Sequence, residues 1–404
     1  MKVAIIGGGA AGFFSAINVK QNYPEADVTI FEKSKSLLSK VKVSGGGRCN
    51  LTNNAATIRE LSAAYPRGQK ELKKIFQIFN NRDTMEWFES RAVPLVIQKD
   101  NCVFPESQNS QSIINCFINE SKKYGIKIVI GKGIKAVIPK KNIFEIIFSD
   151  SIIESSEFDK VIVATGGSPL RKGLNWLEDL NHKIEDPAPS LFTFNMPSET
   201  ITSLMGIVVE DISVSIQGTK IKSEGPLLIT HWGMSGPSIL KLSSFGARFL
   251  KEKEYDFNIQ VNWVNEQNID IVRDYLSGIV ALHSNKLLSN YRPYALADRL
   301  WGYLLEKSAL PLSKKWGELG KKGINKLVSL LSNDVYRVNG KTTFKEEFVT
   351  CGGVSLDSVN INTMESRVCK NLYFAGEVLD IDGITGGYNL QAAWTTGFIA
   401  GRLS

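Results

Sequence analysis

Histidine is scarce in this 404-residue chain: His182, His231 and His283 are the whole complement, about fifty residues apart and without paired ligand spacing. A metal centre is therefore not expected. The five cysteines (Cys49, Cys102, Cys116, Cys351, Cys369) are odd in number and form no C-x-x-C pair. That pattern argues against both a disulfide framework and a zinc site and fits a reducing, cytoplasmic setting. No run approaches the about 18 consecutive apolar residues of a bilayer span. The apolar opening Val3 to Ile6 runs at once into Gly7-Gly8-Gly9, so neither a membrane span nor a signal peptide is expected. Internal repeats and low-complexity tracts are also lacking. Charge is nearly balanced, with a net +7 spread over short clusters at Lys33 to Lys42, Lys70 to Lys74 and Lys314 to Lys326. Such an excess suits anionic ligands without requiring nucleic acid.

What is present is an ordinary globular composition, 43% hydrophobic and 22% charged, over a length that favours two or three domains at about 150 residues each. Lys2 to Ile6 is a short apolar run of the buried parallel-strand type, followed by a glycine turn and an apolar stretch, Phe13 to Val19, at helical spacing. A second strand, Asp27 to Phe31, ends on Glu32, 20 residues after Gly12. Further strands are expected at Lys127 to Ile130, Ile134 to Ile138, Phe144 to Phe148 and Lys160 to Ala164. After Pro187-Ala188-Pro189 the pattern becomes short alternating segments up to Asn262, which reads as antiparallel sheet. From Ile269 to Leu331 it is helical, with Leu276, Ile279 and Val280, and then Leu296, Leu300 and Leu304, at three- and four-residue spacing. Strand signals return at Phe348 and Val349 and again at Leu372 to Ala375, before a final helix from about Asn389 to Leu403. The expected fold is α/β: a Rossmann-like domain built from both termini (1–190 and 349–404), with an inserted antiparallel β domain (191–265 and 334–348) and a small helical cap domain (266–333).

The glycine turn has a direct physical use. Gly7 permits the tight turn, Gly9 lets backbone approach a pyrophosphate, Gly12 allows close helix–strand packing, and the helix N-terminus offers free N–H groups to the anion. Glu32 is placed to accept hydrogen bonds from ribose hydroxyls. Three further glycine-rich returns follow: Ser44 to Asn50, Ala164-Thr165-Gly166-Gly167, and Gly383 to Asn389. Several backbones approaching one long ligand favour FAD over NAD(P), and no second strand-associated G-x-G-x-x-G marks a separate nicotinamide domain. The last return opens a helix whose N-terminal dipole suits negative charge at a reduced flavin.

The N-terminal unit, the run Val43 to Asn53, the segment Thr230-His231-Trp232-Gly233-Met234-Ser235-Gly236-Pro237, Thr350-Cys351-Gly352-Gly353-Val354, and Leu372 through Trp394 together resemble the YhiN/BaiN-type FAD-dependent oxidoreductases, nearly end to end and in order. Family members include an aminoacetone-type amine oxidase and reductases of conjugated enones in oxo bile acids. The resemblance implies non-covalent FAD held by Gly7, Gly9, Ala11, Gly12, Glu32 and Lys33. It extends the set to Ser44, Gly45, Gly46, Arg48, Cys49 and Asn50, to Ile134 at the adenine, to Ala164, Thr165 and Gly166, and to Gly376, Glu377, Asp380, Gly387, Tyr388, Asn389 and Leu390. Two departures from the family pattern stand out: Ser168 to Gly173 replaces a Ser-Thr-Gly-type stretch, and Cys351 stands where alanine is common.

His231 is the histidine in a setting that suggests proton transfer, since it precedes Gly233 and a helix start, with Trp232 as a candidate pocket wall. Its ordinary alternative is holding that loop by hydrogen bonds, and Trp232 is nearly as well read as core. The expected activity is hydride transfer between flavin and a small organic substrate of the amine or conjugated-enone class. Oxygen and NAD(P)H, the latter as a transient reductant, both stay open as redox partner, and so does the oligomeric state. An RNA-modifying flavoprotein and a non-enzymatic flavin sensor are the alternatives. Nucleic acid is disfavoured, because Trp316 is the one aromatic among the lysines from Lys314 to Lys326.

Overall fold

The computed structural model describes residues 1–149, 155–342 and 349–403. The chain divides into two compact units, Met1–Ser190 with Lys345–Ser404, and Leu191–Phe344.

The first unit is built on a seven-stranded sheet in the order Val359–Asn360, Glu365–Ser366, Leu372–Phe374, Lys160–Val163, Lys2–Ile6, Asp27–Glu32, Lys127–Ile130. The five strands from Leu372–Phe374 to Lys127–Ile130 are parallel, with Ile5 opposite both Ile30 and Ile162. The apolar residues of the inner four, from Leu372–Phe374 to Asp27–Glu32, are buried on both faces, which is why these strands read as continuous hydrophobic runs, whereas Ile130 of the edge strand is exposed. The chain leaves Lys2–Ile6 toward one side and later returns to Lys160–Val163 on the other. Between those two strands the order reverses, and in such sheets ligands bind outside the carboxyl ends at that point.

Two helices join the ends of the chain, Ala10–Asn22 and Tyr388–Ala400. Most residues of both are buried, so neither shows an amphipathic stripe. They pack closely because a Cβ at Gly397 would lie 3.0 Å from Ala11 O and one at Gly401 2.6 Å from Asn18 Cβ. Phe14, Phe117 and Trp394 fill the surrounding core with ring centroids 5.5 to 6.4 Å apart. Residues 51–126, which the sequence pattern left without elements, carry the three-stranded sheet Thr52–Asn53, Cys102–Pro105, Leu95–Ile97 and the helices Ile58–Ala63, Gln69–Ile75, Asn81–Glu89 and Gln111–Lys123. Asn81–Glu89 starts at a reciprocal cap: Asn80 accepts from Arg82 N–H at 2.8 Å and Asp83 accepts from Asn80 N–H at 2.7 Å. A two-stranded ribbon, Ile184–Ser190 against Val349–Val354, completes the unit. The strand signal expected at Phe348 lies outside the described residues.

The second unit holds a seven-stranded antiparallel sheet in the order Asp334–Asn339, Asp256–Asn262, Val208–Ile216, Lys222–Thr230, Gly233–Ser235, Thr193–Asn195, Lys341–Thr342. Within the stretch 191 to 262 read as antiparallel sheet, the helix start expected just after Gly233 opens a 16-residue helix, Pro237–Glu252, whose length that reading did not foresee and which packs Ile239, Leu242 and Leu250 against the sheet. Its start is marked by Pro at the first helical position. The helices Ile269–His283, Asp298–Lys307 and Gly320–Ser332 share one core with the sheet, Leu276, Leu300 and Leu327 joining Val214 and Ile259. The segments on both sides of the expected division at 265/266 fall within the one unit Leu191–Phe344.

Candidate functional site

At the carboxyl end of Lys2–Ile6 the backbone turns so tightly that a Cβ at Gly12 would sit 1.9 Å from Gly7 O. Any larger residue there would push the helix off the strand. Gly9 precedes the helix without a side-chain cap, and no acidic residue occupies the first turn, so the N-terminal N–H groups stay available to an anion. Glu32, at the end of the next strand, accepts from Gly8 N–H and Ser34 N–H, each at 2.8 Å. A carboxylate has about four acceptor sites, so ribose hydroxyls remain within its capacity. Lys33 is exposed, and Lys132 N–H donates to Glu32 O at 2.9 Å, which brings the segment opening at half-buried Ile134 beside the acidic strand end.

The loop Ser44 to Asn50 is held from within. Cys49 N–H donates to Ser44 O at 2.9 Å, and Arg48 Nε donates to Gly45 O at 3.1 Å while its guanidinium lies 4.2 Å from the Phe104 ring centroid. Arg48 is thus a clamp on this loop as well as a local positive charge. Cys49 is fully buried, and burial pushes its thiol up to about 12, which makes it a poor nucleophile.

This loop is fastened to the C-terminal segment 383–391. With its carboxamide assigned by hydrogen bonding, Asn50 accepts from Gly387 N–H at 3.2 Å and donates to Thr52 O at 3.1 Å. Gly387 has φ +88°, and a Cβ there would lie 2.4 Å from Thr52 O, so glycine is needed on both counts. Asn53 Nδ2 donates to Gly386 O at 3.3 Å, and Thr52 Oγ1 donates to Gln391 Oε1 at 2.6 Å. Asn389 closes its own loop on Gly383, accepting from the N–H at 2.8 Å and donating to the C=O at 2.9 Å. Tyr388 O accepts from the Tyr65 hydroxyl at 2.6 Å, Leu390 packs on the core, and the helix Tyr388–Ala400 starts with no acidic residue in its first turn.

The remaining candidates meet at the sheet's other strand ends. Ala164 N–H donates to Ile6 O at 2.8 Å, with exposed Thr165 and half-buried Gly166 following. Gly376 N–H donates to Thr396 Oγ1 at 2.8 Å, and a Cβ at Gly376 would be 2.8 Å from Ala11 Cβ. Glu377 spends its carboxylate within the chain, accepting from Lys40 Nζ at 2.6 Å and Thr350 N–H at 2.8 Å, while Asp380 accepts from Gly352 N–H at 3.1 Å. These two acids join glycine segments to one another. A Cβ added at Gly9, Gly46 or Gly166 would meet no atom within 4 Å. Bare backbone at three turns, together with a buried Thr350 hydroxyl that has no hydrogen-bond partner among the described residues, fits a long polar ligand such as FAD.

Sequence reasoning missed Thr350, Lys40, Thr52, Gln391 and an ion pair of Arg67 with fully buried Asp382, whose carboxylate also accepts from Ser190 Oγ at 2.8 Å. Polar Gln391, Thr395 and Thr396 on an otherwise apolar buried helix were the available signal for one of these networks.

In the second unit, His231 and Trp232 form the turn between Lys222–Thr230 and Gly233–Ser235. Trp232 Nε1 donates to Thr193 Oγ1 at 3.0 Å and Met196 N–H donates to Trp232 O at 2.8 Å. Trp232 thus fastens the turn. The exposed His231 ring lies edge-on to Trp232 at 4.4 Å and makes no hydrogen bond among the described residues. Among those residues there is also no cluster of three His, Cys, Asp or Glu suited to a metal ion, and no helix long and apolar enough to cross a membrane.

The chain is 27% identical over 413 residues to a 3-dehydro-bile acid delta(4,6)-reductase of Clostridium scindens, covering 99% of this chain and 98% of that protein. It is 26% identical over 404 residues to a ribosomal RNA dihydrouridine synthase of Escherichia coli, covering 97% and 95%. Among solved structures, a 3-ketosteroid-delta4-(5alpha)-dehydrogenase from Rhodococcus jostii matches with a TM-score of 0.52 at 11% identity over 99% of this chain and 95% of that one, a likeness of fold. A 3-ketosteroid delta1-dehydrogenase from Sterolibacterium denitrificans matches with a TM-score of 0.51 at 10% identity over 99% and 98%. The model of the HI0933-like protein Rossmann domain matches residues 1–403. With its Rossmann-type FAD-binding domain assembled from both ends of the sequence, the chain belongs to the HI0933-like family of flavoprotein oxidoreductases.

Proposed function

We propose that the protein is a reductase of carbon–carbon double bonds conjugated to a carbonyl, with non-covalent FAD as cofactor and NAD(P)H as electron donor. The observation that carries this reading is the N-terminus of helix Tyr388–Ala400, free of acidic residues in its first turn and tied through Gly387, Asn50 and Thr52 to the loop after the Rossmann turn. Such a terminus favours negative charge on the group it faces. The relatives' names supply the substrate class, since a bile acid delta(4,6)-reductase and a dihydrouridine synthase both denote reduction of a double bond next to a carbonyl.

FAD, when bound, supplies the hydride. Gly9 and the first turn of Ala10–Asn22 hold its pyrophosphate, Glu32 a ribose, and Arg48 keeps the Ser44 to Asn50 loop in place. On the substrate, hydride addition at the β-carbon moves an electron pair to the carbonyl oxygen, so a proton must reach the α-carbon. His231 is the proposed donor: its exposed ring is committed to no hydrogen bond among the described residues, and an imidazole is a common proton donor in such steps.

A second reading takes uridine in RNA as the substrate. It is supported by the two dihydrouridine synthase names and by exposed Lys315, Lys321, Lys322 and Lys326, the latter three on a helix with no acid in its first turn. Trp316 is fully buried and so gives no base-stacking platform.

The test is anaerobic reduction with NADH and NADPH, followed by a 3-keto-4-ene steroid, uridine-containing RNA or an amine panel while the flavin bands are recorded. Bleaching by a nicotinamide and recovery with steroid or RNA is expected, and His231→Asn should slow recovery about 10² to 10⁴-fold at unchanged FAD content. Bleaching by amines, with no recovery by either alkene, would overturn the reductase reading in favour of an amine oxidase. RNA binding that weakens steeply with salt distinguishes the RNA substrate.

A further inference from the structure

We infer that Thr350 is a cofactor-binding residue whose hydroxyl donates a hydrogen bond to an acceptor oxygen of bound FAD, an inference resting on the FAD-dependent reading above. Thr350 lies on the strand Val349–Val354, opposite Pro189 of Ile184–Ser190. It is 1% exposed, and its Oγ1 has no hydrogen-bond partner among the described residues. The neighbouring carboxylate bonds elsewhere: Thr350 N–H donates to Glu377 Oε1 at 2.8 Å, and the other Glu377 oxygen accepts from Lys40 Nζ at 2.6 Å. Neither bond involves the side-chain hydroxyl, which is left without a role in the bonding of the described residues.

Its surroundings say what it serves. A Cβ added at Gly167 would lie 2.9 Å from Thr350 Cβ and 2.7 Å from Glu377 Oε1, so the threonine side chain abuts the glycine return that follows strand Lys160–Val163. That return and Gly376-Glu377 follow two neighbouring parallel strands, Lys160–Val163 and Leu372–Phe374, at the carboxyl edge where sheets of this order bind dinucleotides. Gly167 thus packs closely on Thr350 and Glu377, while a Cβ at the preceding Gly166 would meet nothing within 4 Å, so the return is open one residue away. Buried hydroxyls are costly when unpaired, and one held against a glycine return at a ligand edge is explained by a ligand acceptor. The chemistry required is a polar oxygen, which the phosphate, ribityl and ring carbonyl groups of FAD provide.

The prediction has two sides that a purely structural threonine would not produce. In Thr350→Val the isosteric methyl removes the hydroxyl, so FAD should bind about tenfold more weakly by fluorescence titration of the apoprotein. The apoprotein's own thermal midpoint should stay equal or rise, because an unpaired buried hydroxyl has been removed. Thr350→Ser keeps the donor and should bind FAD within about threefold of the parent. Unchanged FAD affinity in Thr350→Val overturns the inference. So does a lower apoprotein midpoint in that variant, which would mean that the hydroxyl has a partner inside the protein. A parent protein that binds no FAD would instead bring down the flavin reading itself, and the two failures are told apart by that control.

Discussion

Replacing Arg67 by Met leaves the carboxylate of Asp382 buried without its counter-ion. Arg67 is nearly buried and Asp382 wholly so, and the guanidinium contacts both carboxylate oxygens, with Ser190 Oγ donating at 2.8 Å. Burial lifts the Asp382 carboxyl above its ordinary range, and the Arg67 charge and hydrogen bonds pull it back down. Removing Arg67 leaves burial less opposed, so the folded-state proton affinity rises further. A carboxyl held above its unfolded value is most favourable to folding when protonated, and the penalty grows as pH climbs past the ordinary carboxylate value of about 3.9 by about 1.4 kcal/mol per unit. At pH 5 that charge penalty is limited to about 1.5 kcal/mol. At pH 8 removing one partner of a buried pair costs about 3 to 5 kcal/mol. Urea denaturation followed by tryptophan fluorescence at both pH values measures the difference. The double variant Arg67→Met with Asp382→Leu, which removes both charges, should recover most of the loss at pH 8. An equal loss at pH 5 and pH 8, or a double variant no better than the single one, would refute the account of a carboxylate stranded by the loss of its partner.

Two further outcomes follow from the same geometry. Gly387→Ala puts a Cβ 2.4 Å from Thr52 O at φ +88°, a strain of about 1 to 3 kcal/mol that should part the two loops. Flavin retained after desalting should fall with the thermal midpoint, and an alanine variant that keeps both would contradict the assigned junction. All five cysteines are buried, and burial pushes Cys49 and Cys116 up to about 12 and Cys102 to about 11. Native protein at pH 8 should therefore show less than about one thiol reacting with Ellman's reagent within minutes, against all five in denaturant.

Local chemistry was enough to specify the strand, glycine turn, helix and acidic strand end from Lys2 to Glu32, because a buried parallel strand is a continuous apolar run and the close turn between Gly7 and Gly12 can be made only without a Cβ. The same holds for Leu372–Phe374 and the helix after Gly387, where apolar runs and glycines again fall within one short window. The helices between 51 and 126 escaped that reading; Asn81–Glu89 carries a cap signature, but its buried residues Thr84, Trp87 and Phe88 make only a short stripe. The start of Pro237–Glu252 was legible in its proline, but its length was hidden by the alternating segments on either side of it. What no local pattern holds is partnership. Arg67 and Asp382 are 315 positions apart, and Thr52 and Gln391 are 339 apart. Each is an unremarkable residue in its own window, and only the return of the C-terminal segment against the N-terminal loops makes one an ion pair and the other a buried hydrogen bond. Thr350 shows the same limit from the opposite side, since the absence of a partner for its hydroxyl is a property of everything folded around it. The sequence by itself determined where a dinucleotide's phosphates could be received, through backbone geometry that glycine alone allows, while the side chains that hold the loops in register were decided by tertiary packing, because their energies depend on burial and on groups hundreds of residues away.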